Sequence, residues 1–280
     1  EEGESITAVS EIDVEALNAQ LAEQGLSDDD LPELADAAED VEGDDSDDGL
    51  EYDEPDGAYI FMATAKGTVK KTPLTQFSRP RSSGLIALRL DEGDTLIAAA
   101  ITDGSKHVML FSDGGKVIRF KESKVRQMGR TARGVRGMRL ADDQQLISML
   151  IPEPGASILT ASENGYGKRT ALDEFPLRGR GGQGVIAQVQ NERNGKLIGA
   201  IQVQDGEEIM LISDQGTLVR TRVDEVSSQS RNTQGVTLIR LDKNERLVGI
   251  ERVQEPSADD DEEVIEVDTT DSAESTTHEE

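Results

Sequence analysis

Short apolar runs broken by polar turns fill the middle of the chain, and one arrangement of them returns four times. The four passages read IFMATAKGTVKKTPLTQF, VMLFSDGGKVIRFKESKV, ILTASENGYGKRTALDEF and IMLISDQGTLVRTRVDEV. Runs of about five to seven residues rich in Val, Ile, Leu and Thr, separated by Gly, Asp and Asn, are typical of strands joined by hairpin turns. The pattern therefore predicts three or four strands in each repeat.

Two glycines recur in each repeat, and we call them the anchoring glycine and the loop glycine. The anchoring glycines are Gly67, Gly115, Gly165 and Gly216, spaced by 48, 50 and 51 residues, and the loop glycines are Gly84, Gly134, Gly184 and Gly235. A unit of about 50 residues with so few strands cannot bury its own apolar face, so neighbouring units must stack. We expect an all-β, propeller-like array or a solenoid.

The repeats occupy residues 59–256, and the rest of the chain differs in composition. Residues 1–10 contain ESITAV, which we interpret as the closing strand of a preceding blade. Residues 11–58 form an acidic insert, in which two short amphipathic helices are predicted before a disordered part. Residues 257–280 are predicted to be a disordered acidic tail. Because the chain does not begin with Met, we expect it to be a fragment.

Charge is distributed very unevenly along the chain. The formal net charge is −28, yet residues 1–58 hold 23 Asp and Glu and residues 257–280 hold 11, with no Lys or Arg in either flank. All 29 basic residues lie in residues 59–256 beside 23 acids, so that part has a charge of about +6. Such asymmetry indicates a polyanion-binding body with acidic appendages. The absence of cysteine excludes disulfides and cysteine zinc sites, and no apolar run is long enough for a membrane span.

Basic residues return at the same two places in each repeat. One stands four positions after the anchoring glycine, and others stand in the loop before the loop glycine. This recurrence predicts a curved positive track whose lysines and arginines bind the phosphates of duplex DNA. Eight Phe and Tyr and no Trp leave little for base stacking. The predicted DNA-binding residues are Lys70, Lys71, Arg79, Arg81, Arg119, Lys121, Lys124, Arg126, Arg130, Arg133, Arg136, Lys168, Arg169, Arg178, Arg180, Arg220, Arg222 and Arg231.

No arrangement of residues predicts a catalytic site or a metal site. His107 and His278 are far apart in the chain, and no Ser/His/Asp set or pair of carboxylates stands out. We therefore expect neither catalysis nor a bound cofactor in this chain. A basic face that is only solvated is the alternative to a DNA-binding track.

The repeats resemble one known family. FMATAKGTVKKT, VMLFSDGGKVIRFKES, ILTASENGYGKRTA and GTLVRTRVDEVSSQSRNTQGV are similar to successive blades of the C-terminal domain of the DNA gyrase A subunit. The resemblance covers roughly Tyr59–Pro256 and residues 4–9, and it implies that the chain holds the last four of six blades. It further implies a β-pinwheel, in which neighbouring blades exchange strands and DNA wraps around the basic rim.

The resemblance also implies how such a chain would act. The family works in a bacterial, cytoplasmic, chromosome-associated holoenzyme, where a second A subunit and the B subunit bind through N-terminal regions that this chain lacks. The B subunit uses ATP and magnesium to drive negative supercoiling. Arg178–Gly184 (RGRGGQG) matches only part of the family's Q-[RK]-R-G-G-[RK]-G box, and Tyr52, Tyr59 and Tyr166 do not match its cleavage tyrosine. We therefore expect DNA wrapping without DNA cleavage, and it is open whether four blades without the box complete a wrap.

Two alternatives to this interpretation remain. The C-terminal domain of the topoisomerase IV A subunit shares the blade but lacks the box. A protein-interaction propeller would present the same basic rim to an acidic protein. Two further expectations concern the ends of the array: the acidic flanks compete with DNA for the rim, and the missing early blades leave strand edges that promote association.

Overall fold

The structure is a computed structural model that describes residues 57–253. In chain order its strands are β1 (Tyr59–Thr64), β2 (Thr68–Pro73), β3 (Leu96–Thr102), β4 (His107–Ser112), β5 (Lys116–Lys121), β6 (Val135–Arg136), β7 (Leu146–Leu150), β8 (Ser157–Ser162), β9 (Tyr166–Ala171), β10 (Val185–Ile186), β11 (Leu197–Val203), β12 (Glu208–Ser213), β13 (Leu218–Arg222), β14 (Val236–Thr237) and β15 (Leu247–Val253). Single-turn 3-10 helices follow the second strand of each hairpin: Leu74–Phe77, Glu122–Lys124, Leu172–Glu174 and Val223–Glu225. Within residues 57–253, no helix has the length and apolarity needed to cross a membrane.

The strands form four antiparallel sheets, which we number as blades 1 to 4. Blade 1 has the strand order β3-β1-β2-β6, blade 2 has β10-β5-β4-β7, blade 3 has β11-β8-β9-β14, and blade 4 has β13-β12-β15. Strands β6, β10 and β14 come from the next repeat, so each of the first three blades is completed by a strand that its successor lends. The all-β, propeller-like fold is thus confirmed, with the strand exchange of a β-pinwheel.

The recurring glycines make this exchange possible. Gly165 has a φ of +79°, and a Cβ added there would lie 2.5 Å from the carbonyl oxygen of Ile239 in the next repeat. Gly67 and Gly115 stand equally close to the backbone of their successors. Gly216 also has a positive φ, but a Cβ there would meet nothing within 4 Å. The anchoring glycine therefore serves a hairpin turn in every blade and a close backbone contact only where a further repeat follows.

The apolar cores lie between blades as well as within them. One cluster joins Phe61 of blade 1 to Leu110 and Phe120 of blade 2, and the two phenylalanine rings are 6.4 Å apart. Phe111 of blade 2 packs edge-on against Phe175 of the next repeat. Strands β3, β7, β11 and β15 pack in sequence along the inner edge of the array. The stacking that the repeat length predicted is therefore how the apolar faces are buried.

At both ends of the described array, a segment lacks the strand exchange seen at the three junctions. Blade 4 has three strands, so β13 is its outer edge, and Leu218 on that strand is 61% exposed. At the other end, Ile86 occupies the place of a lent strand in the first repeat and is 68% exposed. The predictions for the closing strand (1–10), for the acidic insert up to residue 56 and for the acidic tail (257–280) concern residues outside the described range.

Candidate nucleic-acid interface

The segment after each 3-10 helix crosses to the preceding blade and covers its outer strand. We call these segments the lent loops: residues 125–136 on blade 1, residues 175–186 on blade 2 and residues 226–237 on blade 3. Each runs beside the outer strand and then turns back to add its short strand, with backbone bridges joining Lys71 to Gln127, Arg119 to Leu177 and Arg169 to Ser228. The lent loops therefore form the outer edge of the array, opposite the inner strands.

Several predicted DNA-binding arginines lie on or beside this outer edge with accessible charge. Arg133 and Arg178 are exposed on lent loops, and Arg133 is 3.4 Å from the carboxylate of Asp91 in a solvent-exposed ion pair. Arg130 and Arg231 are half-buried, and each donates a hydrogen bond through Nη1 to a carbonyl of the preceding repeat. Four more of the predicted residues are exposed and six are half-buried: Arg79, Arg81, Arg220 and Arg222 are exposed, and Arg119, Lys121, Lys124, Arg126, Arg136 and Arg169 are half-buried.

Four predicted DNA-binding residues lie inside the protein, so the expectation that they line an exposed track is wrong. Lys70, Lys71 and Lys168 are completely buried, and Arg180 is 4% exposed. The lent loops cover the strands that carry the three lysines, which the spacing of the residues did not reveal. The ammonium of Lys71 lies 5.1 Å from the centre of the Tyr59 ring. None of the four can reach a phosphate in this arrangement.

The basic residue four places after the anchoring glycine binds the next repeat in blades 2 and 3. Arg119 donates through Nη1 to the carbonyl oxygens of Leu172 and Phe175, at 3.1 and 3.2 Å. Arg169 donates through Nε to the carbonyl of Val226 at 2.8 Å, and its side chain is only 13% exposed. In blade 4, where no repeat follows in the described part of the chain, Arg220 stays exposed. The recurrence of this residue therefore reflects blade contacts at least as much as a surface track.

Burial changes the titration of several groups at these contacts. Desolvation lowers the pKa of Lys70 and of Lys168 from 10.5 to about 8. Arg130 adds a smaller lowering at Lys70, whereas at Lys168 the Glu174 carboxylate raises the pKa and Arg231 lowers it. Desolvation also raises the pKa of Glu122, which accepts a hydrogen bond from the Thr102 hydroxyl at 2.5 Å. The buried lysine ammonium groups therefore hold their protons less tightly than exposed ones would.

The structure adds basic residues that the sequence interpretation missed. Arg139 and Arg240 are exposed at a position five residues after the loop glycine, and Arg89 shares that position in the first repeat. This third recurrence was present in the sequence and could have been found. Arg193 lies 4.4 Å from the centre of the Tyr166 ring, at an open cleft of about 670 Å³ that Arg240 also lines. Basic charge therefore extends from the lent loops toward the turns of blades 3 and 4.

Comparison with known proteins agrees with the repeat architecture. Residues 58–103, 106–153, 156–204 and 207–254 each match the family described as DNA gyrase C-terminal domain, beta-propeller. The DNA gyrase A subunit of Pseudomonas aeruginosa is 69% identical over 277 residues, which cover 95% of this chain and 29% of that protein. The gyrase A subunit of Salmonella typhimurium is 58% identical over 218 residues, covering 78% of this chain and 24% of that protein. The chain thus spans less than a third of the length of these relatives.

Solved structures support the same assignment. A structure of the DNA gyrase A C-terminal domain superposes with a TM-score of 0.63 at 29% identity, covering 71% of this chain and 67% of that one. A crystal structure of the C-terminal domain of DNA topoisomerase IV superposes with a TM-score of 0.67 at 27% identity, covering 71% and 62%. Because the four family matches span most of the chain, this chain belongs to the DNA gyrase C-terminal domain family.

Proposed function

We propose that residues 58–254 bind duplex DNA along the outer edge of the array and bend it into a wrap, as a module of a DNA gyrase A subunit. The observation that carries this proposal is the recurrence of arginines on consecutive lent loops. Arg130 and Arg133 stand on the first, Arg178 on the second and Arg231 on the third. Arginine at such an edge neutralises phosphates and releases counterions, so binding strength follows salt concentration steeply.

Contact through the backbone accounts for the composition of the edge. The chain offers few aromatic side chains for base stacking, and the strands of the lent loops are too short to read a groove. Affinity would therefore depend on phosphate positions, with sequence entering through the ease of bending. A duplex that touches consecutive lent loops must follow the outer edge of the blades and is bent by doing so.

The rest of the proposed activity belongs to a larger assembly. Within it, a B subunit would supply ATP hydrolysis with magnesium, and a second A subunit would complete the site that cleaves DNA. The wrap would fix the sense of the DNA crossing, so that strand passage introduces negative supercoils. We expect such an assembly in the bacterial cytoplasm, on the chromosome, because the relatives are gyrase proteins of bacteria.

A module of topoisomerase IV is the second candidate. The solved structure of that domain superposes at least as well as the gyrase domain does. The 69% identity to a gyrase A subunit over nearly the whole chain favours gyrase. The two candidates share the blade fold and DNA binding.

Ligation of nicked plasmid tests the proposal. Nicked circles are sealed in the presence of the 280-residue chain, and the linking number of the product is read on a gel. A shift that grows with protein concentration is expected if the duplex is wrapped in one sense. The matched control replaces Arg133 and Arg178 by alanine, which should weaken both the shift and the salt dependence of binding. DNA binding without a shift would contradict wrapping, and no salt-dependent binding would contradict the DNA-binding edge and leave an acidic protein as the partner.

A further inference from the structure

At each of the three described blade junctions, a buried cation donates hydrogen bonds to backbone carbonyls across the junction. At the junction of blades 1 and 2, Lys70 of β2 donates through Nζ to the carbonyl oxygens of Ala87 at 2.9 Å and Arg130 at 2.5 Å. At the junction of blades 3 and 4, Lys168 of β9 donates to the carbonyls of Ser230 at 2.7 Å and Arg231 at 2.6 Å. Both lysines stand three residues after an anchoring glycine, and both bind the backbone of a lent loop.

At the middle junction the buried cation stands on the lent loop instead of on the strand that the loop covers. Three residues after its anchoring glycine, blade 2 has Ile118, which is 2% exposed and cannot donate a hydrogen bond. Here the cation is Arg180 of the lent loop, which donates through Nε to the carbonyl of Lys124 at 2.9 Å and through Nη1 to that of Arg136 at 3.3 Å. Ile118 lies beneath the same loop, since a Cβ added at Gly182 would meet its Cδ1 at 3.8 Å.

A physical reason for this recurrence is the shape of the lent loop. At the first and third junctions the lent loop turns carbonyl oxygens of Arg130, Ser230 and Arg231 toward the buried lysine. At the middle junction the acceptor carbonyls, those of Lys124 and Arg136, belong to the second repeat, and the cation stands on the loop. A buried carbonyl without a donor is costly, and a cation with several N–H groups satisfies two or three of them at once. Whether the charge stands on the strand or on the loop, its hydrogen bonds join the lent loop to the repeat that it covers.

We propose that a buried cation with backbone acceptors across each junction holds the lent loop on the preceding blade, so that Lys70, Arg180 and Lys168 are positioning residues for the DNA-facing arginines. The positioning of DNA-facing arginines rests on the proposed function. The retention of the lent loop by the buried cation does not. At Arg180 the exposed arginine that is positioned is Arg178, two residues earlier on the same loop. Three of the predicted DNA-binding residues, Lys70, Arg180 and Lys168, would thus hold the loops that carry the exposed arginines and would not contact DNA themselves.

The middle junction offers the sharpest test, because Ile118 cannot replace the lost charge. Arg180→Met removes the cation, and Arg180→Met with Ile118→Lys moves a cation to the strand, as in the other two junctions. Arg178→Met is the matched control, since it removes a charge from the same loop at an exposed position. All variants are made in the 280-residue chain and measured by amide hydrogen exchange and by binding to duplex DNA.

Hydrogen exchange at two backbone amides measures, in the absence of DNA, how firmly the lent loop is held on blade 2. The amide of residue 178 donates to Arg119 O at 2.8 Å, and the amide of Gly181 donates to Gly137 O at 2.7 Å. In Arg180→Met we expect both to exchange about tenfold faster or more, because buried carbonyls lose a charged donor. The double variant should regain most of this protection. Arg178→Met should leave exchange at Gly181 unchanged while it weakens DNA binding.

The outcomes separate this inference from the proposed function. Faster exchange in Arg180→Met that is reversed by Ile118→Lys supports the buried cation, and a parallel loss and recovery of DNA affinity supports its positioning role. Unchanged exchange, or a loss that the relocated lysine does not reverse, overturns the inference. If exchange behaves as expected while no variant alters DNA affinity, the hold on the loop stands and the proposed DNA contact fails. Should Arg180→Met not fold, recovery of the folded chain by Ile118→Lys supports the inference, and no recovery overturns it.

Discussion

Two glycines with the same backbone conformation provide a matched test of how the blades are joined. Gly165 and Gly216 both have a positive φ, of +79° and +86°. A Cβ at Gly165 would stand 2.5 Å from the carbonyl oxygen of Ile239, whereas a Cβ at Gly216 would meet nothing within 4 Å. Replacing each by alanine therefore imposes the same backbone strain but a clash with the next repeat at only one of them.

The difference between the two variants can be worked from the contacts. An alanine at positive φ costs about 1–2 kcal/mol at either site. At Gly165 the neighbouring backbone must also move, and the amides of Leu238 and Ile239 donate to Gly165 O at 2.8 and 3.2 Å. If each of these hydrogen bonds is worth about 1 kcal/mol, Gly165→Ala should lose about 3–4 kcal/mol of unfolding free energy and Gly216→Ala about 1–2 kcal/mol.

Urea unfolding followed by circular dichroism measures these losses, and amide exchange just after β14 reports whether the lent strand has loosened. We expect Gly165→Ala to expose the amides of Leu238 and Ile239, which directly follow β14 and donate to Gly165 O, and Gly216→Ala to leave them protected. Equal losses of unfolding free energy in the two variants would refute the reasoning. The strain of the turn would then be the whole cost, and the close backbone contact would contribute nothing.

Three further predictions concern titration, charge and association. Because burial lowers the folded-state pKa of Lys70 and Lys168 to about 8, the unfolded chain binds more protons between about pH 8 and 10.5. The unfolding free energy should rise with pH across that window relative to a variant with both lysines replaced by methionine, and parallel curves would contradict this. Deleting residues 11–56 and 257–280 should tighten DNA binding in low-salt buffer, since tethered acids compete with phosphates, and an unchanged gel-shift midpoint would exclude the competition. The exposed edge of β13 should promote association that Leu218→Lys reduces, and sedimentation of the unmodified chain as a stable monomer would count against it.

The repeat could be predicted from the sequence because its signals are local. A strand alternates with period two and a hairpin turn needs a residue with positive φ, so apolar runs and anchoring glycines were sufficient to predict the blades. The arginines before the loop glycines were also found in this way, since turns and loops lie at the surface of most folds. Arg133 and Arg178 are exposed on the lent loops, as a basic track requires.

The burial of the neighbouring lysines could not be predicted by the same argument. Lys70 and Lys71 are consecutive on β2, and both were predicted to bind DNA on an exposed track. The lent loop of the next repeat covers the outer side of this strand, and both lysines are completely buried. That loop begins more than fifty residues later in the chain. A pattern within one repeat cannot show what another repeat places over it, and charge is an unreliable guide to exposure where a buried ammonium finds carbonyl oxygens to bind.

The lent loops combine two roles that most folds assign to different segments. The loop that presents Arg178 to the outside also supplies β10, the outermost strand of blade 2, and Arg180 between them is enclosed at the junction. A force on the exposed arginine is therefore applied to the same segment that joins two blades. DNA bent along the outer edge would pull on these junctions in sequence, and their strength would limit how tightly it can be bent. The buried cations, the close glycine contacts and the short lent strands all resist that pull at the same three places. Blade junctions and the DNA-facing edge should consequently respond together to substitutions, even where the altered side chain cannot reach a phosphate.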